Sequence, residues 1–191
     1  MLLVVGLGNP GKSYAANRHN VGFMAVDSLR EREGWPDYKE KFSGVISRGA
    51  AFGHEVAAFK PMTFMNLSGD CVQPAAAFFK VSLSEVIVVH DELDLPFGEV
   101  RLKFGGGHAG HNGLRSMISR LGSPDFLRVR VGISRPPAGF AGEVADYVLG
   151  DFNPSERAEL PELLSRVVAA VARLAQDGPT AAMNTVNAKR K

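Results

Sequence analysis

The sequence predicts a single α/β domain in which helices surround a mixed β-sheet, and three features point there. Its 191 residues match the roughly 100–200 residues of one domain. Short apolar or β-branched runs alternate along the chain with segments of helical period. No internal repeat or low-complexity linker interrupts that alternation. The domain is expected over residues 1–178, with a short basic C-terminal tail over 179–191.

Leu2 to Val5 is a continuous apolar run ended by Gly6, the pattern of a strand buried on both faces. From Val21 to about Glu33 the apolar Val21, Met24, Ala25 and Leu29 recur at helical spacing before a charged turn and Gly34, so an amphipathic helix is expected. Val45–Arg48 and Val56–Lys60, separated by GAAFGHE, read as a hairpin. Residues 68–80 read as a helix in which Pro74 must sit in the first turn or kink the axis. Val86–Val89 is a strand running into HDELD, which delivers ionisable groups to a strand end, where open α/β sheets carry chemistry. Residues 99–104 form a short strand and 112–121 a helix introduced by glycines. Leu127–Ile133 alternates apolar and basic residues, so its arginines fall on one face. Asn153 before Pro154 is the pattern of a helix cap, and an apolar stripe from Leu160 through Leu174 continues that helix to Gly178.

Composition narrows the function classes. Hydrophobic residues at 45% and charged residues at 22% exclude a disordered or fibrous chain. The 21 glycines exceed an average near 7% and imply loops whose backbone approaches something closely. A lone cysteine, Cys71, allows neither an internal disulfide nor a thiolate metal cage. No charge-free run exceeds eleven residues, against roughly 20 needed to cross a bilayer. The start, MLLVVGLGNPG, lacks the flank of a signal peptide. A reducing, cytoplasmic setting without membrane contact is therefore expected.

Net charge is +2, but it is unevenly spread: −2 over residues 1–98, +5 over 99–135 and −1 over 136–191. The middle stretch, with Arg101, Lys103, Arg115, Arg120, Arg128, Arg130 and Arg135, is either a solvated face or a surface for a polyanion.

Gly6, Gly8 and Gly11 satisfy the GxGxxG spacing of dinucleotide-binding folds. That fingerprint requires the glycines to open a helix and an acid to end a second strand. Here KSYAANRHN intervenes and Asp27 lies inside a helical pattern, so no nucleotide cofactor is expected. His19 stands in RHN just before a helix, and Asp91 stands at a strand end where it could orient such an imidazole. No GxSxG elbow occurs, which leaves water as the nucleophile of any hydrolase. The histidines 90, 108 and 111 with Asp91 form no HExxH and have no cysteine partner, so no metal is expected. Asn9, Asn66 and Asn112 lie in loop-like contexts; converging on a cleft, they would offer paired donors and acceptors to a peptide group and a donor to an oxyanion.

Together, GLGNPGKSYAANRHNVGF, PMTFMNLSG, VVHDELDLPFG, GGGHAGHNGLRS and RVRVGI resemble, in order and spacing, the signatures of the bacterial peptidyl-tRNA hydrolase family, from residue 2 to about 150. The resemblance implies a monomeric, metal-free esterase that releases peptides from peptidyl-tRNA. It also implies roles: His19 as catalytic base, Asp91 as its orienter, and Asn9, Asn66 and Asn112 as groups that bind the peptide and position the ester. Met65 resembles the apolar cleft wall, Tyr14 and His111 further cleft residues, and Lys103 with Arg130 a clamp for the tRNA 5′-phosphate. Asn17 departs from the threonine common before RHN, and Pro74 is unusual in its helix.

Overall fold

A computed structural model of the chain describes residues 1–188; Lys189, Arg190 and Lys191 of the expected basic tail lie outside the described residues. The strands are β1 (Leu2–Gly6), β2 (Lys39–Lys41), β3 (Gly44–Ala51), β4 (His54–Pro61), β5 (Val86–Glu92), β6 (Val100–Phe104) and β7 (Leu127–Gly132). Among the described residues they form one seven-stranded sheet in the order β2-β3-β4-β1-β5-β7-β6. The central β4, β1, β5 and β7 are parallel, and β2, β3 and β6 join antiparallel at the two margins. The mixed sheet surrounded by helices is the architecture the alternating pattern predicts.

The helices are α1 (Val21–Glu33), α2 (Ser68–Phe78), α3 (Asn112–Leu121), α4 (Val144–Val148), α5 (Pro154–Asp177) and α6 (Pro179–Val186). Because side chains alternate along a strand, the apolar stretches of the central strands feed two cores. Val4, Ile87, Val89 and Val129 pack with α1 and α5, while Leu3, Val5, Val86 and Val88 pack with α2 and α3. Each such side chain, removed from water, stabilises the fold by about 1.5–3 kcal/mol.

The glycines of the GxGxxG run serve helix–strand contact. A Cβ at Gly6 would stand 2.2 Å from the Gly22 carbonyl oxygen, and one at Gly8 would stand 2.6 Å from the Phe23 ring. The chain after them forms a 3-10 turn, Arg18–Asn20, before α1 begins at Val21. No helix opens at the glycines, so the dinucleotide geometry is not built.

Several boundaries differ from expectation. GAAFGHE is mostly strand: β3 and β4 continue until only Phe52 and Gly53 remain between them, with φ of 56° and 79°, the left-handed pair that a tight hairpin turn requires. Pro74 lies inside α2, beyond its first turn. Strand β2 and α4 were not legible, since β2 is exposed throughout and α4 spans five residues. The segment from 179, expected as tail, begins with α6, whose Ala182 is fully buried. Beyond it the Asn187 side chain accepts from Leu102 N at 2.7 Å and donates to Leu102 O at 2.8 Å.

Candidate active site

Parallel pairing of β1 with β5 places Gly6 opposite Val89, so the loop after β1 and the end of β5 emerge side by side. Strand β5 continues past Val89 through His90, Asp91 and Glu92, which carries Asp91 into a buried position, 3% exposed. His19, on the 3-10 turn, meets it: Nδ1 lies 2.8 Å from Asp91 Oδ2. A carboxylate only accepts. Nδ1 therefore carries the proton and Nε2 keeps the lone pair. Burial disfavours the His19 imidazolium, but the Asp91 charge and hydrogen bond outweigh it and hold the pKa above the ordinary value of 6.5.

His111 approaches the other carboxylate oxygen, with Nε2 2.8 Å from Asp91 Oδ1. Its Nδ1 accepts from Gly113 N at 3.1 Å and Leu114 N at 3.3 Å, so the imidazole caps α3. An imidazole that accepts at Nδ1 must carry its proton on Nε2. His19, Asp91 and His111 bring their ligand atoms within 4.8 Å of one another, yet this pattern suits protons and not a cation, because the His111 lone pair is already spent on the helix. Burial pushes the Asp91 pKa up, but the charges and hydrogen bonds of His19 and His111 drive it well below the ordinary carboxylate range.

His90 is a different histidine. Its Nδ1 donates to the Asp91 carbonyl at 2.8 Å. Burial, and secondarily the neighbouring His111, push its pKa down to about 3, so it stays neutral at physiological pH.

Asn9 is locked in one orientation. Its Oδ1 accepts from Met65 N at 2.7 Å, which leaves Nδ2 as the free donor. Asn20 clamps the Asn9 backbone from both sides, accepting from Asn9 N and donating to Asn9 O, each at 2.9 Å. Sequence reasoning missed Asn20, although its place beside His19 in RHN was the available signal.

These groups line a cleft of about 590 Å³ that also includes Met65, Asn66 and Asn112, with Leu93, Val144, Val148 and Leu149 and the charged Glu92, Asp94 and Arg135 in its lining. Asn9, His19, Met65, Asn66, Asp91, His111 and Asn112 are thus brought together. Tyr14 is not among them; it stands outside, edge-on to Phe64 with ring centroids 6.4 Å apart. A larger hollow of about 750 Å³ between β6, α5 and α6 contains no histidine.

Lys103 and Arg130 also lie apart from the cleft. Register pairs Arg101 with Arg130 and Lys103 with Arg128, so alternation sets all four on one face of the β6–β7 pair; the sequence predicts this for Arg128 and Arg130. They are not equivalent. Arg128 is 2% exposed and donates to the carbonyls of Gly106 and Gly107 at 2.6 Å each, bracing the glycine-rich loop. Arg130 pairs with Glu92 at 2.9 Å, and Lys103 is exposed.

Sequence relatives place this single α/β domain among hydrolases that act on ester bonds. The chain belongs to the peptidyl-tRNA hydrolase family, whose model, described as Peptidyl-tRNA hydrolase, matches residues 3–191. The peptidyl-tRNA hydrolase of Sorangium cellulosum is 62% identical over 191 residues, covering 100% of this chain and 86% of its own. That of Geotalea daltonii is 51% identical over 187 residues, covering 98% and 96%. A crystal structure of peptidyl-tRNA hydrolase from Acinetobacter baumannii superposes with a TM-score of 0.90 at 40% identity, covering 100% of this chain and 96% of that one.

Proposed function

We propose that the chain hydrolyses the ester between a peptidyl group and the 3′-terminal ribose of tRNA, returning free tRNA, with His19 as general base. The observation that carries this reading is the His19–Asp91 contact at 2.8 Å beside the free amide donor of Asn9. His19 Nε2 takes a proton from water, and the resulting hydroxide attacks the ester carbonyl. Asn9 Nδ2 donates to the developing oxyanion. As the tetrahedral intermediate collapses, the imidazolium returns its proton to the departing ribose oxygen, leaving tRNA and a peptide carboxylic acid that loses its proton to solvent. A positioned base contributes roughly 10²–10⁴ in rate and one oxyanion donor about 10²–10³, so both are needed.

Asn66 and Asn112 bind the peptide amide, and Met65 supplies an apolar wall. Their neutral amides favour an N-blocked acyl group over a free charged α-amine, which would lose solvation against them. Ordinary aminoacyl-tRNA is thereby spared. Lys103 and Arg130 hold the tRNA 5′-phosphate, and Tyr14 supports Phe64 at the cleft edge. The chain acts as a monomer without metal or nucleotide cofactor. Among the described residues no helix is long and apolar enough to cross a membrane. The test is incubation with N-acetyl-aminoacyl-tRNA and free aminoacyl-tRNA side by side. Selective release from the first is expected; binding of both without release would mark an RNA-binding module instead.

A further inference from the structure

We propose that the groove between α2 and α3 carries the single-stranded 3′ end of the substrate tRNA, with Arg115 holding one of its phosphates; the inference rests on the function proposed above. The groove, about 470 Å³, adjoins the cleft directly, because Asn66 and Asn112 line both. Beyond those two amides its walls are Leu67, Asp70, Arg115, Ser116, Ser119 and Arg120. Its floor is tight. The helices approach at Gly69, where a Cβ would stand 2.3 Å from the Ser116 carbonyl oxygen, and Gly69 N donates to Ser116 Oγ at 2.9 Å.

Helical spacing explains the lining. Arg115 and Ser116 lie three and four residues after Asn112, and Ser119 lies four and three after them, so the four share one face of α3. A polar stripe thus runs away from the reacting ester along the helix. Asp70 and Arg120 form an ion pair with each other. Arg115 forms none among the described residues and is exposed, which leaves the groove with one uncompensated guanidinium beside serine hydroxyls. That combination matches a phosphodiester.

The substrate supplies the second half of the argument. An ester that joins a peptide to a ribose sends two unlike chains out of the same centre. The cleft carries an aliphatic lining, Leu93, Val144, Val148 and Leu149, beside the Asp94–Arg135 ion pair, and that lining suits peptide side chains. The α2–α3 groove is polar and cationic and suits nucleotides. The glycine-rich loop connects the two nucleic-acid surfaces, since it leaves β6 just after Lys103 and enters α3 at Asn112.

Three substrates test the proposal: N-acetyl-aminoacyl-adenosine, the same acyl group on a CCA trinucleotide, and full-length N-acetyl-aminoacyl-tRNA. Arg115→Ala is expected to lower kcat/KM about tenfold on the trinucleotide and the tRNA, through KM, as for one lost charged contact. The acyl-adenosine, too short to enter the groove, is the reference and should be hydrolysed at the parental rate. The log–log salt dependence on the trinucleotide should flatten by about 0.7, the single-strand value for one phosphate, and Arg115→Lys should restore most of it. Lys103→Ala should affect the full-length tRNA alone. Equal loss on all three substrates, or no loss on the trinucleotide, overturns the groove assignment. So does a loss that tracks acidic residues in the peptide instead of nucleotide length. If the parent protein releases nothing from any of the three, the proposed function fails, and that result is distinct from a failure of Arg115.

Discussion

His111 Nε2 donates to Asp91 Oδ1 at 2.8 Å while the same imidazole accepts from the first-turn amides of α3. The carboxylate that orients His19 is thus held from its other side by a helix terminus. We infer that His111 is a positioning residue for Asp91, acting through the carboxylate. His111→Asn can still cap α3 but is too short to reach Asp91. Stability close to the parent and a kcat lowered about 10-fold to 100-fold are expected, the scale of a misplaced catalytic group. Steady-state kinetics with thermal melts check this; a change confined to KM would mark direct substrate contact instead.

The raised His19 pKa sets the pH profile. A base must be unprotonated, so kcat/KM should fall as pH drops through a value above 6.5. Asp91→Asn removes the charge that raises it and leaves burial dominant, so the acid limb should move below 6.5 as turnover declines. Stability runs the other way. A group whose folded pKa is raised contributes fully below its unfolded value, and that contribution fades as pH rises through the folded one. Urea midpoints of the parent and His19→Ala across this window should converge as pH rises. His19→Ala should also lose about 10²–10⁴ in turnover with tRNA binding kept.

Asn9→Asp preserves the acceptor for Met65 N and removes the donor. A kcat about 10²–10³ lower with KM little changed is expected, and single-turnover kinetics would separate this from a binding defect. Asn20→Ala strips both hydrogen bonds from the Asn9 backbone, so denaturant unfolding should show a loss of about 1–3 kcal/mol alongside reduced kcat.

On the basic face, Lys103→Ala and Arg130→Ala should each raise KM for full-length peptidyl-tRNA and flatten its log–log salt dependence by roughly one unit. Because Glu92 already holds Arg130 at 2.9 Å, it competes with a phosphate for that guanidinium. Glu92→Gln should therefore lower KM for the tRNA and leave KM for a short acyl-adenosine fragment unchanged. A parallel change on both substrates would place Glu92 in the chemistry instead.

What the sequence revealed follows from how locally each feature is encoded. Strands β1, β5 and β7 declare themselves as apolar or alternating runs, and Gly34 and Asn153 punctuate their helices as the chain alone implies. His19 and Asp91 stood out because each flanks such an element. Their pairing was expected from the strand end and from the family resemblance, but no local pattern could supply its geometry, since 72 residues separate them and only the sheet order brings them together. Asn20 was hidden for the same reason: its partners are the backbone atoms of Asn9, and backbone groups leave no trace in residue type. The unequal fates of Arg128 and Arg130 were hidden too, because one alternating pattern describes both. Helix α6 escaped because Gly178 ends α5 so clearly that the chain seemed finished there.

The Asn187 amide, which takes both the donor and the acceptor of Leu102, does for β6 what an eighth strand would do. Strand β6 is a sheet margin, and an open margin is a template to which other extended chains add. One side chain after the last helix thus closes the backbone ladder in the middle of that strand. The margin beside Arg101 and Lys103 is thereby discouraged from zipping to a second copy, so that its cations stay free for a polyanion. Shortening the protein at Gly178 would spare every group around the cleft and still change its behaviour, leaving a margin prone to self-association.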